Sequence, residues 1–235
     1  ASALLSYAEH TQGQALAHVR TLTVERASQL VDLPPTTHRN LELVQTLRGD
    51  DSPTLLSLID TCRTGMGSRA LRHWLTHPLR ERTVAMQRHD ALDVLMRDVL
   101  TPLRDTLRGV SDVERITARV ALRQVRPREM SGLRATLQAL PALRALVPVG
   151  RAVLLDMLAE ALSPDPAIEA LLTAAIAEEP AVQLRDGGVI APGFDATLDE
   201  LRAISTNCDD FLLELETRER ARTGIPNLRV QFNKV

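Results

Sequence analysis

The chain has 235 residues, enough for one large domain or two small ones, and its 44% hydrophobic and 25% charged residues are those of an ordinary globular protein. A net charge of −2 excludes a generally basic polyanion binder, so any grip on phosphate must come from a local basic patch. Aromatics make up only 2%, so the core must be built from Leu, Val, Ile and Ala, a palette that favours helices.

Residues 1–16 read as a helix with Leu4, Leu5, Ala8 and Ala15 on its apolar side. Leu22-Thr23-Val24 and Gln29 to Leu33 look like short extended segments, ended by Pro34-Pro35. Thr37 to Leu47 reads as a short helix, and Ser52 as the cap of a helix that starts at Pro53 and carries Leu55, Leu56, Leu58 and Ile59. Further helices are expected over Gly67 to Leu75, which Pro78 stops, and within Val84 to Leu107. Ser111-Asp112-Val113-Glu114 has the spacing of a capping box with Ser111 as the cap. The helix it opens carries Val113, Ile116 and Val120; Pro127 interrupts the pattern and Ser131 to Leu146 resumes it. Val153 to Leu162 and Ile168 to Ala177 are two more helical stretches. Asp186-Gly187-Gly188 is a turn, followed by a brief extended Val189-Ile190.

The longest periodic segment follows Pro192-Gly193. Leu198, Leu201, Ile204, Cys208, Phe211 and Leu215 recur at spacings of three and four, the narrow seam of a coiled coil. Unbroken from Asp195 to Arg222, this segment makes a rod of roughly 40 Å, with Gly224 as its stop. Leu228, Val230 and Phe232 then alternate with polar neighbours, as in a half-exposed strand whose partner the chain lacks. The fold class is therefore mainly α: a helical body with short extended segments near its start, and a long helical projection ending in a truncated β element. The chain lacks an initiator Met and stops inside that strand-like pattern, so both ends are expected to lie within a longer protein.

Charge divides along the projection. Asp195, Asp199, Glu200, Asp209, Asp210, Glu214 and Glu216 face one base, Arg202. From Thr217 onward Arg218, Arg220, Arg222, Arg229 and Lys234 face one acid, Glu219. An acidic shaft with a basic tip suits a device that meets a phosphate backbone only at its end, and Asn227 and Asn233 offer neutral phosphate contacts. The same arginines serve equally well as partners for shaft acids on neighbouring helices. A second basic run, Arg115, Arg119 and Arg123, continues to Arg126 and Arg128. Its four-residue spacing lines one helix face, turned either to nucleic acid or to acids on adjacent helices.

Other motifs resolve to little chemistry. His73 and His77 share a helix face, but Trp74 stands where a zinc protease needs glutamate, and no third metal ligand is evident. Trp74 is expected to pack beneath a helix crossing. Gly65-Met66-Gly67-Ser68 has the wrong spacing for a phosphate loop and is followed by Arg69, so these residues read as a close-packed helix start. No nucleophile elbow appears. Cys62 and Cys208 fit no metal spacing and read as the reduced thiols of an intracellular protein. No run of about 18 apolar residues and no secretory signal is present, so no membrane association is expected.

Several runs, in order along nearly the whole chain, carry a resemblance. They are His38-Arg39-Asn40-Leu41-Glu42-Leu43, Thr54 to Asp60, Met66-Gly67-Ser68-Arg69, Leu71 to Leu75, Pro78-Leu79-Arg80, Asp112 to Ile116 and Arg126 to Glu129. Asp186 to Ile190, Leu198 to Arg202, Glu219 to Ile225 and Phe232 to Val235 continue the series. Together they resemble the core domain and first clamp arm of MutS-type DNA mismatch-recognition proteins. The resemblance implies a bacterial, cytoplasmic, nucleoid-associated homodimer that encircles double-stranded DNA, finds mispaired bases and works with a MutL-type partner. It divides the chain into a connector tail (1–16), a core and lever (17–194) and an incoming clamp arm (195–235). The mismatch-reading domain would lie upstream. The ATPase domain, with its ATP and Mg, would lie downstream, so no catalytic site, metal or cofactor is expected in these residues. Arg218, Arg220, Arg222, Asn227, Arg229, Asn233 and Lys234 are the expected DNA-backbone contacts. Two other readings remain open: a helical protein-interaction module using the 198–215 seam, and a helical enzyme with a cryptic site.

Overall fold

A computed structural model describes residues 2–12, 19, 21, 24, 26–206 and 208–230. The described residues form twelve α-helices and no strand. The expectations for Ala15, Leu22, Thr23, Phe232, Asn233 and Lys234 fall outside them. No helix of the described residues is long and apolar enough to cross a membrane.

Helix α1 spans Ser2–Gln12, and Ala27–Gln29 forms a 3-10 turn. The extended segment expected after Gln29 finds an antiparallel bridge from Leu30 to Leu79. Val31 N–H donates to the Pro78 carbonyl (2.8 Å), and Arg80 returns both its N–H and its side chain to Gln29 and Leu30. Helix α2 (Pro35–Asn40) starts on a proline and ends earlier than its apolar pattern suggested. Glu42 turns left-handed there (φ 45°) and its carboxylate accepts from Leu47 N–H at 2.7 Å. The carbonyls of Glu42 and Leu43 are thereby freed to accept from Leu55 and Leu56, the first N–H groups of α3 (Leu55–Ile59).

Two expected caps are displaced by neighbours. Thr54, not Ser52, caps α3, because Ser57 sits where it can reciprocate and Ser52 has no such partner. Asp112, not Ser111, caps α7 (Val113–Ala121) and accepts from Arg115 N–H. Ser111 N–H instead donates to Thr136 Oγ1 at 2.9 Å. Helix α4 (Gly65–Thr76) is capped by Thr64. The close-packed start expected for α4 is borne out: a Cβ on Gly67 would stand 3.2 Å from Thr64 Oγ1 and 3.3 Å from Cys62 Cβ.

Helices α5 (Arg82–Asp98), α6 (Leu100–Leu107), α8 (Pro127–Ala145), α9 (Val153–Ala161) and α10 (Pro166–Ala175) complete the body. Pro127 opens α8 rather than interrupting it, since a proline at the first helical position forfeits no hydrogen bond. Ile116, Leu133, Leu172 and Ile176 form the central cluster where α7 and α10 meet α8. A second seam joins α5 to α9 through Ala91, Leu155 and Ala159, all buried.

Helices α11 (Ala196–Thr206) and α12 (Cys208–Thr223) touch each other and, among the described residues, make no extensive contact with a body helix. Residue 207, where the expected rod would pass from one to the other, lies outside the described residues. The molecule exposes 17645 Å², against about 10,500 Å² for a compact chain of this mass. Much of its apolar surface therefore lies uncovered. Leu201 and Ile204 of the seam are 59% and 45% exposed.

Candidate functional site: the arm, its root and its tip

The root of the arm is built from carbonyls and arginines. Helix α10 has no basic residue in its last turn to meet the partial negative charge of its carboxyl end. Arg134 of α8 supplies one. Its guanidinium donates to the carbonyls of Ile176 (2.5 Å), Ala177 (3.2 Å) and Glu178 (3.2 Å). Ile176 in turn forms an antiparallel bridge with Ile190, through Ala177 N–H to Val189 O and Ala191 N–H to Ala175 O, each 2.9 Å. Arg202 of α11 then donates to the Ile190 carbonyl at 2.8 Å. Asp199 orients that arginine at 3.1 Å and accepts from Gly193 N–H at 2.6 Å. Asp195 caps the start of the arm by accepting from Leu198 N–H. Body and arm are thus joined by a continuous run of short polar contacts: α8, Arg134, residue 176, residue 190, Arg202, α11.

At the far end, Arg220 is a structural residue. It pairs with Glu216 (2.5 Å) and donates to the Leu228 carbonyl (2.8 Å), while the second Glu216 oxygen accepts from Val230 N–H (3.0 Å). This clip folds residues 228–230 back onto α12. The strand expected at Leu228 and Val230 does not form among the described residues, because side chains rather than a partner strand satisfy its backbone groups. Arg218 and Arg222 are 73% and 71% exposed and share Glu219. Asn227 and Arg229 are exposed, and Arg229 makes no ion pair among the described residues. Arg218, Arg222, Asn227 and Arg229 are thus all exposed, whereas Arg220 is turned onto residues 228–230.

The body holds a second ionic joint. Arg69 of α4 makes two bonds to Asp112 (2.7 and 2.8 Å) and one to Glu114 (2.5 Å), tying α4 to the start of α7. The Arg69 guanidinium, with help from the Arg115 N–H, holds the Asp112 carboxyl down at about 2. A group held below its ordinary value stabilises the fold above that value, and the gain is lost as pH falls toward about 2. Asp112→Asn keeps the cap but loses the charge. The stability gap between the two proteins should be constant above pH 4 or so and close toward pH 2. Urea denaturation at several pH values measures this gap, and one that persists at pH 2 would contradict the assignment.

Other sequence expectations fare unevenly. Trp74 is 47% exposed rather than covered by a helix crossing; Arg88 of α5 lies 3.7 Å over its ring. His73 and His77 stack on each other at 4.6 Å, and Thr76 holds the His77 ring at Nδ1. Arg115 pairs with Asp112 and Arg119 with Glu129. Arg123 leaves the stripe, because α7 ends at Ala121. Arg134 and Arg69 escaped sequence reading: their partners lie 42 to 45 residues away, and no local pattern marks such a pairing.

The helical architecture agrees with one further comparison. Residues 36–231 match the family model of MutS domain III. That match spans α2 through α12 and most of the chain, which belongs to this family as a helical domain of a DNA mismatch repair protein.

Proposed function

We propose that residues 17–194 are the core and lever of a mismatch-recognition protein and that residues 195–235 are the incoming arm of its clamp. Residues 1–16 would end the preceding connector. The observation that carries this reading is the contrast between the two ends of the arm. The root is fastened to the body through Arg134 and Arg202, and the tip presents outward arginines. A stiff element anchored at one end transmits displacement to the other. An ATPase domain beyond this chain, loaded with ATP and Mg, would drive the displacement, and a second subunit would close the ring around double-stranded DNA. A MutL-type partner would read the closed state. The setting is the bacterial cytoplasm, at the nucleoid. The tip would hold DNA through Arg218, Arg222, Asn227 and Arg229, and the sequence adds Asn233 and Lys234 as further candidate phosphate contacts. These are phosphate contacts and carry no sequence information.

In the full-length protein, Arg218→Ala with Arg222→Ala is expected to weaken binding to matched and mismatched duplex equally. The dependence of log affinity on log salt should flatten by roughly 0.9 for each phosphate that the variant no longer neutralises. Fluorescence anisotropy across a salt series reads both quantities, and an unchanged slope removes the tip from the DNA contact. Arg220→Ala should behave differently, lowering stability by undoing the clip on Leu228 and Val230.

The exposed Leu201 and Ile204 favour a second reading, in which the seam binds a protein partner. On the first reading the returning clamp arm covers them. A protein-binding module would show no salt-dependent DNA affinity even in the full-length protein.

A further inference from the structure

The connection between α7 and α8 and the first turn of α8 carry three arginines whose side chains form no ion pair among the described residues. Arg123, Arg126 and Arg128 are all exposed. Glu129, close in sequence, is already engaged: it pairs with Arg119 through one oxygen and accepts from Arg126 N–H through the other. Arg128 also lines a cleft of about 800 Å³ that Arg134, Glu178 and Glu179 line as well.

The backbone adds an independent observation. Helix α7 ends in a turn where Arg123 N–H reaches the Val120 carbonyl (3.0 Å) and Gln124 N–H reaches Arg119 (2.8 Å). Arg123 occupies the left-handed position of that turn, with φ 56°. Glycine or asparagine takes this position most readily, since a Cβ there is strained. An arginine held there costs stability and places a guanidinium on the outer corner of the connection.

We propose that Arg123, Arg126 and Arg128 form a second DNA-phosphate contact, on the body and separate from the tip of the arm. The inference rests on the reading of this chain as part of a protein that encircles duplex DNA. The patch has no apolar centre: Val125 and Met130 pack inward against the central cluster. Protein interfaces place their binding energy in buried aromatic and aliphatic anchors, whereas phosphate contact needs only exposed cations. Arginine also matches phosphate with a fork of donors that a point charge lacks.

The test is made in the full-length protein with Arg123→Gly, Arg126→Gln and Arg128→Gln combined. The glycine relieves the left-handed strain, so the melting temperature should be unchanged or raised by about 2–4 °C. With a fluorescent matched duplex as probe, the salt slope should flatten by roughly 0.9 for each arginine that touches a phosphate. The tip variant is assayed alongside, and the two reductions in slope should add when combined. Unchanged affinity and slope in the triple variant overturn the proposal, including where that variant instead loses an acidic protein partner. If the tip variant still shows a flatter slope, only the loop assignment falls; if neither does, the clamp reading falls with it. Should the triple variant unfold, Arg126→Gln with Arg128→Gln, both at exposed positions, gives the same readout.

Discussion

Arg134→Met is expected to lower stability by about 2–3 kcal/mol, the worth of roughly one good hydrogen bond to a charged donor, because the bond to Ile176 is short while the two at 3.2 Å are long and add little. The damage should be local before it is global. Arg134 satisfies the Ile176, Ala177 and Glu178 carbonyls, and the bridge to Ile190 begins at the same residues. Amide exchange should therefore quicken first at Ala177 and Ala191, whose N–H groups form that bridge, while the α5–α9 seam stays protected. Arg134→Lys should recover only part of the loss, since one ammonium cannot span the carbonyls that a planar fork reaches. If Met and Lys behave alike, or if exchange rises uniformly, Arg134 is not the fastening of the root.

Leu155→Ala should cost about 2–5 kcal/mol, the range for truncating a fully buried leucine. Leu155 is 1% exposed on α9, which packs against α5, where Ala91 is also buried. Equilibrium urea denaturation measures it, with the slope unchanged if only the native packing is affected. A loss under about 1 kcal/mol would mean that α9 slides inward to refill the space. The two substitutions separate body from joint: Leu155→Ala weakens the body and leaves the root contacts intact, whereas Arg134→Met does the reverse.

Local physics was legible in the sequence, and long-range pairing was not. Apolar period and proline position placed most body helices within a few residues, with α2 ending at Asn40 rather than Leu47 as the exception, and the aliphatic palette correctly announced a mainly α fold. The displaced caps show why boundaries slip. Ser52 and Thr54 are both good cap types, and the choice fell to Thr54 because Ser57 could answer it. The terminal alternation Leu228, Val230 reads as strand, yet a strand needs a neighbour, and here Glu216 and Arg220 take that neighbour's place. The basic tip was visible as a change of charge sign at Thr217. Arg220 looked no different from Arg218 or Arg222, because only the return of residues 228–230 turns it inward. Arg134 was invisible for a similar reason: a lone arginine on a helix says nothing about a carboxyl terminus 42 residues on.

The joint between body and arm unites guanidinium groups with neutral carbonyls at 2.5 to 3.2 Å, and the ion pair there, Arg202 with Asp199, is local to α11. Mobile ions at 0.1 M act over about 10 Å and barely reach into a bond that short. Duplex phosphates, in contrast, are surrounded by exchangeable counterions. Brine strong enough to strip this protein from DNA should therefore leave its hinge mechanically sound, and ionic strength becomes a probe of grip alone.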